Sequence, residues 1–270
     1  GVWENDENLK ALCDAMNSRR KKQLRYVFGD ASEVLSGETI SSWITVSSNG
    51  QVTLDQEKVA AFVANLAAAY DTAGKMRTFT GVSGAEYQLT GPYGWKIDQA
   101  GEIAALTELI QSGSVWQNGD SADREPVYSQ SAASRTGSDW GNTYVQVDLA
   151  GQHVYMIKDG ACVWDAPCVT GNVSKAYTTP DGIYSLTYKE KDRILRGKKL
   201  DNGKYEYESH VDYWMPFNGG IGFHDASWRN KFGGTIYQTS GSHGCVNLPP
   251  ASVPAFYDML YKGIPVICTP

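Results

Sequence analysis

The sequence predicts an α+β domain followed by a β-rich, sandwich-like domain. Apolar residues recur at helical spacing in the N-terminal part of the chain, whereas short β-rich runs separated by turn residues dominate the C-terminal part. Between them, over residues 117–141, Ser, Gly, Asp, Asn and Ala predominate and the apolar pattern lapses. We therefore predict a linker near 120–127 and domains spanning 1–125 and 126–270.

Three helices are predicted in the first domain, because apolar residues recur at positions i, i+3, i+4 and i+7 or at a subset of them. Asp55 and Asp98 are suitable N-cap residues for the second and third helices, and Gly113 follows the end of the third. Strand-like segments at 42–46 and 77–82 lie between the helices. The apolar faces are Leu9, Leu12, Cys13 and Met16; Val59, Phe62, Val63 and Leu66; and Ile103, Leu106 and Ile110.

The second domain is predicted to consist mainly of short strands. Asp159-Gly160 separates two β-rich runs, which is a strong signal for a hairpin. A helix is predicted over 253–260, and Pro265 favours an edge position for the final strand. The predicted strands span 144–147, 153–157, 161–164, 182–188, 204–207, 213–217 and 264–268.

The composition excludes several classes of protein. Of the 270 residues 41% are apolar, which is enough to build hydrophobic cores and excludes a disordered chain. With 24 basic and 30 acidic side chains the net charge is −6, which argues against binding to nucleic acid or to anionic lipid. No run reaches the roughly 18 consecutive apolar residues of a membrane-spanning helix.

The five cysteines are an odd number, so at least one thiol is free or forms an intermolecular bond. No Cys-x-x-Cys occurs, and a zinc site built from three of the histidines and Cys245 would match no common ligand spacing. Cys162 and Cys168 could pair across a hairpin or remain reduced. Cys13 and Cys268 are expected to be buried as small hydrophobic residues.

The strongest chemical signal is a group of histidines around a cysteine near the C-terminus. A thiol becomes a nucleophile when an imidazole takes its proton, and the imidazole needs a third group to fix its tautomer. Cys245 can be this nucleophile, and His224 lies far enough upstream to return on a neighbouring strand, with Asp225 beside it. His243 has poor geometry for a direct hydrogen bond to a cysteine two residues away. Gly244 permits a backbone conformation that turns N–H groups toward a developing oxyanion.

The residues around this group resemble a known active-site signature. The run Ser242-His243-Gly244-Cys245-Val246-Asn247, with His224 separated from it by 17 residues (225–241), resembles that of the L,D-transpeptidases, the YkuD-type catalytic domain. The resemblance covers 127–270. Flanking segments that share it are 179–184, 213–217 and 220–225.

The first domain resembles a second family. Segments 55–72 and 93–98 resemble the peptidoglycan-binding domain that precedes this catalytic domain in Gram-positive bacteria. The binding role comes from the name of that family rather than from these residues. A spacer or scaffold role is an equal alternative.

The resemblance implies a cysteine transpeptidase of the cell wall that needs no metal or other cofactor. Cys245 would attack the carbonyl of the third stem-peptide residue, the L-centre of a diamino acid, and release the terminal D-Ala. The side-chain amine of a second stem would then form a 3→3 cross-link. His224 would be the general base, and the carboxylate of Asp225 would orient it. As a reactive thiolate, Cys245 is expected to be alkylated faster than the other four cysteines near neutral pH.

The resemblance also assigns roles to residues around this pair. Ser242 and His243 would shape the loop, and the N–H groups of Gly244 and Cys245 would face the oxyanion. The residues assigned to substrate binding are Tyr213, Trp214, Trp228, Arg229 and Asn247. Packing in a β-core explains the first two of these about as well. A surface salt bridge is an equal alternative for Arg229.

Expectations about partners and location follow from the same resemblance. Stem peptides would be donor and acceptor, and β-lactams of the carbapenem type would inhibit the enzyme covalently. No nucleic-acid partner is expected, and the protein is expected to be a monomer. It would act outside the cytoplasmic membrane, in the cell wall, with a membrane anchor in the full-length protein.

Four rival classes differ in residue order or in chemistry. A sortase needs an arginine after its cysteine, and no arginine follows Arg229. A papain-like hydrolase needs cysteine before histidine, and Cys13, Cys162 and Cys168 lack its flanking pattern. An L,D-carboxypeptidase shares the first half-reaction and remains open. A non-catalytic wall-binding protein would have a decayed site, whereas the cysteine, histidine and aspartate are intact here.

Overall fold

The computed structural model describes residues 7–46, 51–116 and 119–270. The chain forms two compact units. The first consists of Gly1–Thr72 and Gly94–Asp139, and the second consists of Ala73–Tyr93 and Trp140–Pro270. Compared with the predicted boundary at residue 125, segment 73–93 joins the second unit and segment 126–139 joins the first.

Within the described residues the chain has six α-helices and eighteen β-strands. The helices are α1 (Glu7–Arg19), α2 (Gly37–Trp43), α3 (Gln56–Tyr70), α4 (Gln99–Ser112), α5 (Ile236–Ser240) and α6 (Val253–Met259). The strands are β1 (Gln23–Phe28), β2 (Ala31–Ser36), β3 (Ile44–Val46), β4 (Val52–Leu54), β5 (Arg77–Thr80), β6 (Glu86–Leu89), β7 (Lys96–Ile97), β8 (Ser121–Arg124), β9 (Tyr128–Gln130), β10 (Tyr144–Asp148), β11 (His153–Lys158), β12 (Ala161–Pro167), β13 (Gly182–Ser185), β14 (Glu190–Arg196), β15 (Glu208–Asn218), β16 (Ile221–Asp225), β17 (Val246–Leu248) and β18 (Pro265–Thr269). Helices and strands mix in the first unit and strands dominate the second, which confirms the predicted fold class.

The predicted second and third helices of the first domain are α3 and α4. The Asp55 carboxylate accepts hydrogen bonds from two N–H groups in the first turn of α3, so it caps this helix as expected. The Asp98 carboxylate accepts one from the Gly101 N–H at the start of α4. Gly113 ends α4 in the left-handed conformation, with φ 66°.

The core of the first unit lies between a small sheet and these helices. The sheet has the order β2-β1-β8, with β1 antiparallel to β2 and parallel to β8. Leu24, Tyr26 and Phe28 alternate on the buried face of β1 and share one hydrophobic core with the apolar faces of α3 and α4.

Strand β8 lies inside the segment that was predicted to be a linker. Its sequence, Ser-Ala-Asp-Arg, has no apolar alternation, so the pattern gives no strand signal there. The strand forms because its backbone pairs with β1, from Gln23 opposite Ser121 to Tyr26 opposite Arg124. The predicted linker is therefore wrong for residues 121–124, which form a strand.

A buried carboxylate connects three segments of the first unit. Glu102 of α4 is fully buried and accepts hydrogen bonds from the Tyr26 hydroxyl, the Arg124 guanidinium and the Val127 N–H. The Arg124 Nη2 and the Glu102 carboxylate lie 2.6 Å apart. Burial, together with this neighbouring carboxylate, raises the pKa of Tyr26 far above its usual value. The network holds α4 against β1 and β8.

The second unit is a sandwich of two sheets. One sheet has five strands in the order β12-β11-β10-β18-β13, and the other has four in the order β14-β15-β16-β17. Residues of both sheets share one core, in which the rings of Phe223 from β16 and Phe256 from α6 are fully buried and 5.2 Å apart. The predicted sandwich-like character is confirmed.

The β5–β6 hairpin belongs to the second unit because the segment that follows β6 is bonded to β13. The Ile183 N–H donates to the Thr90 carbonyl, and the Tyr93 N–H donates to the Ile183 carbonyl. On the hairpin itself, the Phe79 ring meets the Trp140 ring edge-on at 5.6 Å. These contacts explain why 73–93 separates from the chain segments on either side of it.

Two of the predicted strands differ in the structure. The final strand, β18, lies between β10 and β13, so its predicted edge position is wrong. Pro265 is the first residue of β18, where a missing N–H is tolerated. Segment 204–207 forms only an isolated bridge, between Tyr205 and Lys199. The predicted hairpin at Asp159-Gly160 is confirmed, and both residues have positive φ, 52° and 81°.

All five cysteines are unpaired. Cys162 is exposed and Cys168 is buried, so the pairing that the sequence left open is not formed. Cys268 is buried as predicted, but Cys13 is exposed, because α1 packs on the core only through the neighbouring part of its surface around Leu12 and Met16. In the described residues no helix has the length and apolar character needed to span a membrane.

We expect Glu102→Ala to lower the free energy of unfolding by about 3–5 kcal/mol, because Arg124 is left buried without its partner. Chemical denaturation of the whole chain, followed by tryptophan fluorescence, measures the change. The control is Asp123→Ala, which breaks the exposed Arg25–Asp123 ion pair and should leave the unfolding midpoint almost unchanged. Similar effects of the two substitutions would contradict the structural role of Glu102.

Candidate active site

Two neighbouring strands bring the predicted nucleophile and base together. His224 lies on β16, and Cys245 immediately precedes β17. These strands pair in parallel, with Phe223 opposite Val246 and His224 opposite Asn247. The upstream histidine therefore returns on a strand beside the cysteine, as predicted. Both side chains line one cavity of about 240 Å³.

The cavity contains many of the predicted site residues but not all of them. It is lined by Leu195, Tyr207, Ser209, His224, Trp228, Arg229, Gly241, Ser242, His243, Cys245 and Asn247. Asp225, Gly244, Tyr213 and Trp214 are outside this lining. These four residues can therefore affect the site only through the residues that line the cavity.

The buried imidazole of His224 is held in one tautomer. Its Nδ1 lies 2.7 Å from the backbone carbonyl oxygen of Asp225, and a carbonyl can only accept a hydrogen bond. Nδ1 therefore carries the proton of the neutral ring, and Nε2 has a free lone pair. Burial lowers the pKa of His224, and the positive charge of Arg229 lowers it further. The ring is consequently neutral at neutral pH and can accept a proton at Nε2.

Asp225 orients His224 through its main chain and not through its carboxylate. Its buried carboxylate instead accepts a hydrogen bond from the Tyr213 N–H, at 2.8 Å. On an extended strand, adjacent side chains point to opposite faces, so the carboxylate turns away from the ring next to it. The predicted role of this carboxylate is therefore corrected. It holds β15 against β16.

The surroundings of Cys245 favour its protonated thiol. Its Sγ lies 3.6 Å from the Gly220 carbonyl oxygen. Cys245 is partly buried, and this burial raises the pKa of its thiol to about 11. This direction opposes the preformed thiolate that the resemblance implies, and labelling with iodoacetamide decides between the two.

The loop before Cys245 is fixed by its own hydrogen bonds. The Ser242 hydroxyl donates to the Cys245 carbonyl at 2.6 Å and accepts from the Gly244 N–H at 3.0 Å. Gly244 has φ 118°, a conformation that favours glycine. The buried Thr179 hydroxyl donates to the Gly244 carbonyl at 2.6 Å. Ser242 thus shapes the loop in the way the resemblance implies.

These bonds also decide which N–H groups can meet an oxyanion. The Gly244 N–H is already bound to the Ser242 hydroxyl, so it is not available in this conformation. In the described part of the chain the Cys245 N–H has no acceptor. Of the two predicted donors, Cys245 alone is free.

The ring of His243 packs against two aromatic rings, tilted against Tyr177 and stacked on Tyr207. The centroid of its ring lies 4.7 Å from that of Tyr177 and 4.6 Å from that of Tyr207. Its Nε2 is 3.9 Å from a Glu206 carboxylate oxygen. Tyr207 was missed by the sequence pattern, because it lies in the connection between β14 and β15, which is remote in sequence from the motif. The stack joins that connection to the loop that carries Cys245.

The two aromatic residues predicted to line the cleft lie on opposite faces of β15. Trp214 is buried, and its ring centroid is 6.1 Å from that of His224. Tyr213 packs instead on Tyr257 at 5.0 Å, with the Lys191 ammonium over its ring. The alternation of side chains along a strand separates them. Tyr213 therefore has the packing role that the sequence left open, and Trp214 supports His224 from outside the cavity.

Three further predicted residues do line the cavity. Trp228 is about half exposed and lies 5.8 Å from the His224 ring. The Arg229 Nη1 donates to the Ser240 carbonyl at 2.8 Å. Asn247 is buried, and its side-chain oxygen has no hydrogen-bond partner within the described residues. These groups can contact a ligand beside the thiol.

The alternative of a zinc site finds no support in the geometry. Among the described residues no three His, Cys, Asp or Glu side chains are grouped so that they could hold a metal ion. His210 lies outside the cavity, where its Nε2 is 2.6 Å from the Asp192 carboxylate on the adjacent strand.

Two protein-family models match the chain. Residues 142–268 match the L,D-transpeptidase catalytic domain, and residues 7–115 match the family described as "Putative peptidoglycan binding domain". No match was found among curated proteins.

Solved structures are similar over almost the whole chain. The carbamoyl enzyme of Ldtfm with avibactam is 31% identical, with a TM-score of 0.77, and the match covers 97% of this chain and 99% of that one. A cysteine-to-serine variant of the Enterococcus faecium L,D-transpeptidase is 31% identical, with a TM-score of 0.74, over 98% of this chain and 100% of that one. The chain belongs to the L,D-transpeptidase family. Its place in that family makes the Cys245 cavity the candidate active site of this L,D-transpeptidase family member.

At neutral pH we expect iodoacetamide to alkylate Cys245 more slowly than the exposed Cys13 and Cys162. The raised pKa keeps the Cys245 thiol protonated, and only the thiolate reacts. The rate at Cys245 should rise steeply as the pH approaches about 11. Mass spectrometry of tryptic peptides measures each rate, and denatured protein, in which the cysteines should react alike, is the control. Fastest labelling of Cys245 at neutral pH would contradict the protonated resting thiol.

We expect Asp225→Asn to leave the His224 tautomer unchanged in this L,D-transpeptidase family member. The backbone carbonyl that binds Nδ1 remains, and the asparagine oxygen can still accept from the Tyr213 N–H. Imidazole nitrogen NMR of protein labelled at its four histidines reports which nitrogen carries the proton. A switch of the proton to Nε2 in the variant would restore the carboxylate as the orienting group.

Proposed function

We propose that this protein is a cell-wall L,D-transpeptidase that forms 3→3 peptidoglycan cross-links through an acyl-enzyme on Cys245. The observation that carries the proposal is that the Cys245 thiol and the buried imidazole of His224 line one cavity. The Asp225 carbonyl leaves the His224 Nε2 free to accept a proton. Membership of the L,D-transpeptidase family supports the substrate class.

In the first half-reaction the Cys245 sulfur attacks the carbonyl carbon of the third residue of a donor tetrapeptide stem. His224 takes the thiol proton at Nε2 and gives it to the nitrogen of the departing D-Ala. The carbon–sulfur bond forms and the amide bond breaks, which leaves a thioester. The Cys245 N–H is the free backbone donor for the oxyanion of the tetrahedral intermediate.

In the second half-reaction the side-chain amine of an acceptor stem attacks the thioester. His224 accepts the proton that the amine loses and returns it to the Cys245 sulfur as the carbon–sulfur bond breaks. The new amide joins the third residues of two stems. No redox step or cofactor is required for this exchange of acyl groups.

The match of residues 7–115 to a peptidoglycan-binding family supports the wall as the place of action. Peptidoglycan lies outside the cytoplasmic membrane, so we place the protein there. The similar Ldtfm forms a carbamoyl enzyme with avibactam, which is a strained acylating inhibitor. This supports a second part of the proposal, namely that strained acyl donors, β-lactams of the carbapenem type among them, acylate Cys245. A strained acyl donor suits a cysteine that must lose its proton during attack.

The decisive experiment incubates the purified chain with a disaccharide-tetrapeptide and follows the products by mass spectrometry. We expect a dimer that lacks one D-Ala, and none with Cys245→Ala. His224→Gln should lower the rate by roughly 10²- to 10⁴-fold, because it removes the general base. Asp192→Asn, which removes the exposed partner of His210 on a neighbouring strand, is the control and should leave the rate unchanged.

Each other outcome assigns a different function. Tripeptide without dimer would make the protein an L,D-carboxypeptidase, in which water replaces the acceptor amine. A folded chain that gives neither product nor acyl adduct would contradict catalysis and favour a wall-binding protein without enzymatic activity. Equal turnover by the parent chain and Cys245→Ala would remove the nucleophile from the proposal.

A further inference from the structure

The cavity beside Cys245 contains an unbalanced positive charge. Arg229 is half-buried, and within the described residues the one hydrogen bond of its side chain is the donation from Nη1 to the Ser240 carbonyl. In the part of the chain that the structure describes, no carboxylate lies within 4.0 Å of this guanidinium. None of the residues that line the cavity is acidic. The surface salt bridge that the sequence left open for Arg229 is therefore not formed.

The surroundings of this guanidinium are costly for a cation. Its Nε is buried and makes no hydrogen bond within the described residues. Burial lowers the pKa of Arg229, the direction expected for a positive charge that has lost solvent without gaining a counter-charge. An anion that binds in the cavity would supply the missing charge and the missing acceptors.

The shape of the group selects the kind of anion. A guanidinium presents several N–H donors in one plane, and this fork matches the two oxygens of a carboxylate. Arg229 lines the same cavity of about 240 Å³ as the sulfur of Cys245. A carboxylate bound there must therefore belong to the part of the substrate next to the bond that is attacked.

We propose that Arg229 binds the α-carboxylate of the terminal D-Ala of the donor stem, the residue that leaves when Cys245 is acylated. The inference rests on the proposed function and adds to it the feature that selects the donor. In a tetrapeptide this carboxylate belongs to the residue directly after the scissile amide. In a pentapeptide it lies one residue farther away, about 3.3–3.6 Å in an extended chain, and would miss the guanidinium.

A second carboxylate could reach the same cavity. When the third residue of the stem is a diaminopimelate, its side chain carries a carboxylate as well as an amine. A lysine at that position carries none. Stems with lysine and with diaminopimelate therefore distinguish the two sources of one ligand chemistry.

The test measures binding without turnover, on the full chain with Cys245→Ala. The probe is the tetrapeptide L-Ala-γ-D-isoglutamine-L-Lys-D-Ala, in which the C-terminal carboxylate is the only one, and its comparison is the same peptide as the C-terminal amide. By isothermal titration calorimetry we expect the acid to bind roughly 10- to 100-fold more tightly than the amide, the value of a charge-assisted hydrogen bond. With Arg229→Gln added, this preference should disappear.

Two controls separate binding from folding. Arg25→Gln changes the net charge equally at an arginine outside the cavity and should keep the full preference. Arg229→Lys keeps the cation but not the fork, so it should retain only part of the preference. Circular dichroism verifies that each variant is folded.

Several results would overturn the assignment. Equal binding of acid and amide, or no binding of either, would exclude a site for this carboxylate. If Arg229→Gln weakens the binding of the acid and of the amide by the same factor, Arg229 only supports the loop through Ser240. If the diaminopimelate stem still binds more tightly through Arg229 after its D-Ala is amidated, Arg229 would be assigned to the side-chain carboxylate instead.

The failure of the proposed function is recognised separately. If the parent chain cross-links no stem while the Cys245→Ala variant still prefers the acid, the carboxylate site stands and the transpeptidase proposal falls. If the parent chain turns over acid and amide donors at equal rates, transpeptidation stands and the carboxylate site falls.

Discussion

The parallel pairing of β16 with β17 is the constraint on which the geometry of the site depends. Phe223 and Val246 face each other across this pair, and both are fully buried in the core of the second unit. A shift of one residue in the register would turn these apolar side chains out of the core, so the register is strongly specified. His224 follows Phe223 and Cys245 precedes Val246, so the packing of the core also sets the position of His224 relative to Cys245.

Around this fixed pair, backbone groups perform several tasks that side chains perform in other cysteine enzymes. A carbonyl selects the tautomer of His224, and another, that of Gly220, lies next to the sulfur. The Ser242 hydroxyl spans its own loop, so the chain before Cys245 cannot relax without losing two hydrogen bonds. Backbone groups do not titrate, so the arrangement should be insensitive to pH until the thiol or the imidazole changes its charge.

The local signals in the sequence were sufficient to predict that Cys245 and His224 lie together on adjacent strands, which the pairing of β16 with β17 confirms. The sequence does not reveal roles that depend on where a group points. Adjacency in sequence, for example, does not tell whether Asp225 acts through its carboxylate or its carbonyl. Contacts between remote segments were also hidden. Tyr207 reaches His243 from a connection with no strand pattern, and Glu102 is buried although its residue type predicts exposure. Strand β8 forms through backbone pairing alone, which leaves no trace in the order of apolar residues.

The charges around the cavity affect the proton transfer from Cys245 to His224 in the proposed reaction. The resting thiol and imidazole are both neutral, so attack on the donor creates an anion at the carbonyl oxygen and a cation on His224. The positive charge of Arg229 disfavours that cation, whereas the carbonyl and the carboxylate of Asp225 favour it, as their effects on the pKa of His224 show. A carboxylate bound to Arg229 would remove this opposition at the moment the proton moves. A donor with its carboxylate in place would thus make His224 a stronger base, whereas water or an uncharged thiol reagent would not. In this arrangement the substrate supplies the counter-charge that Arg229 lacks within the described residues.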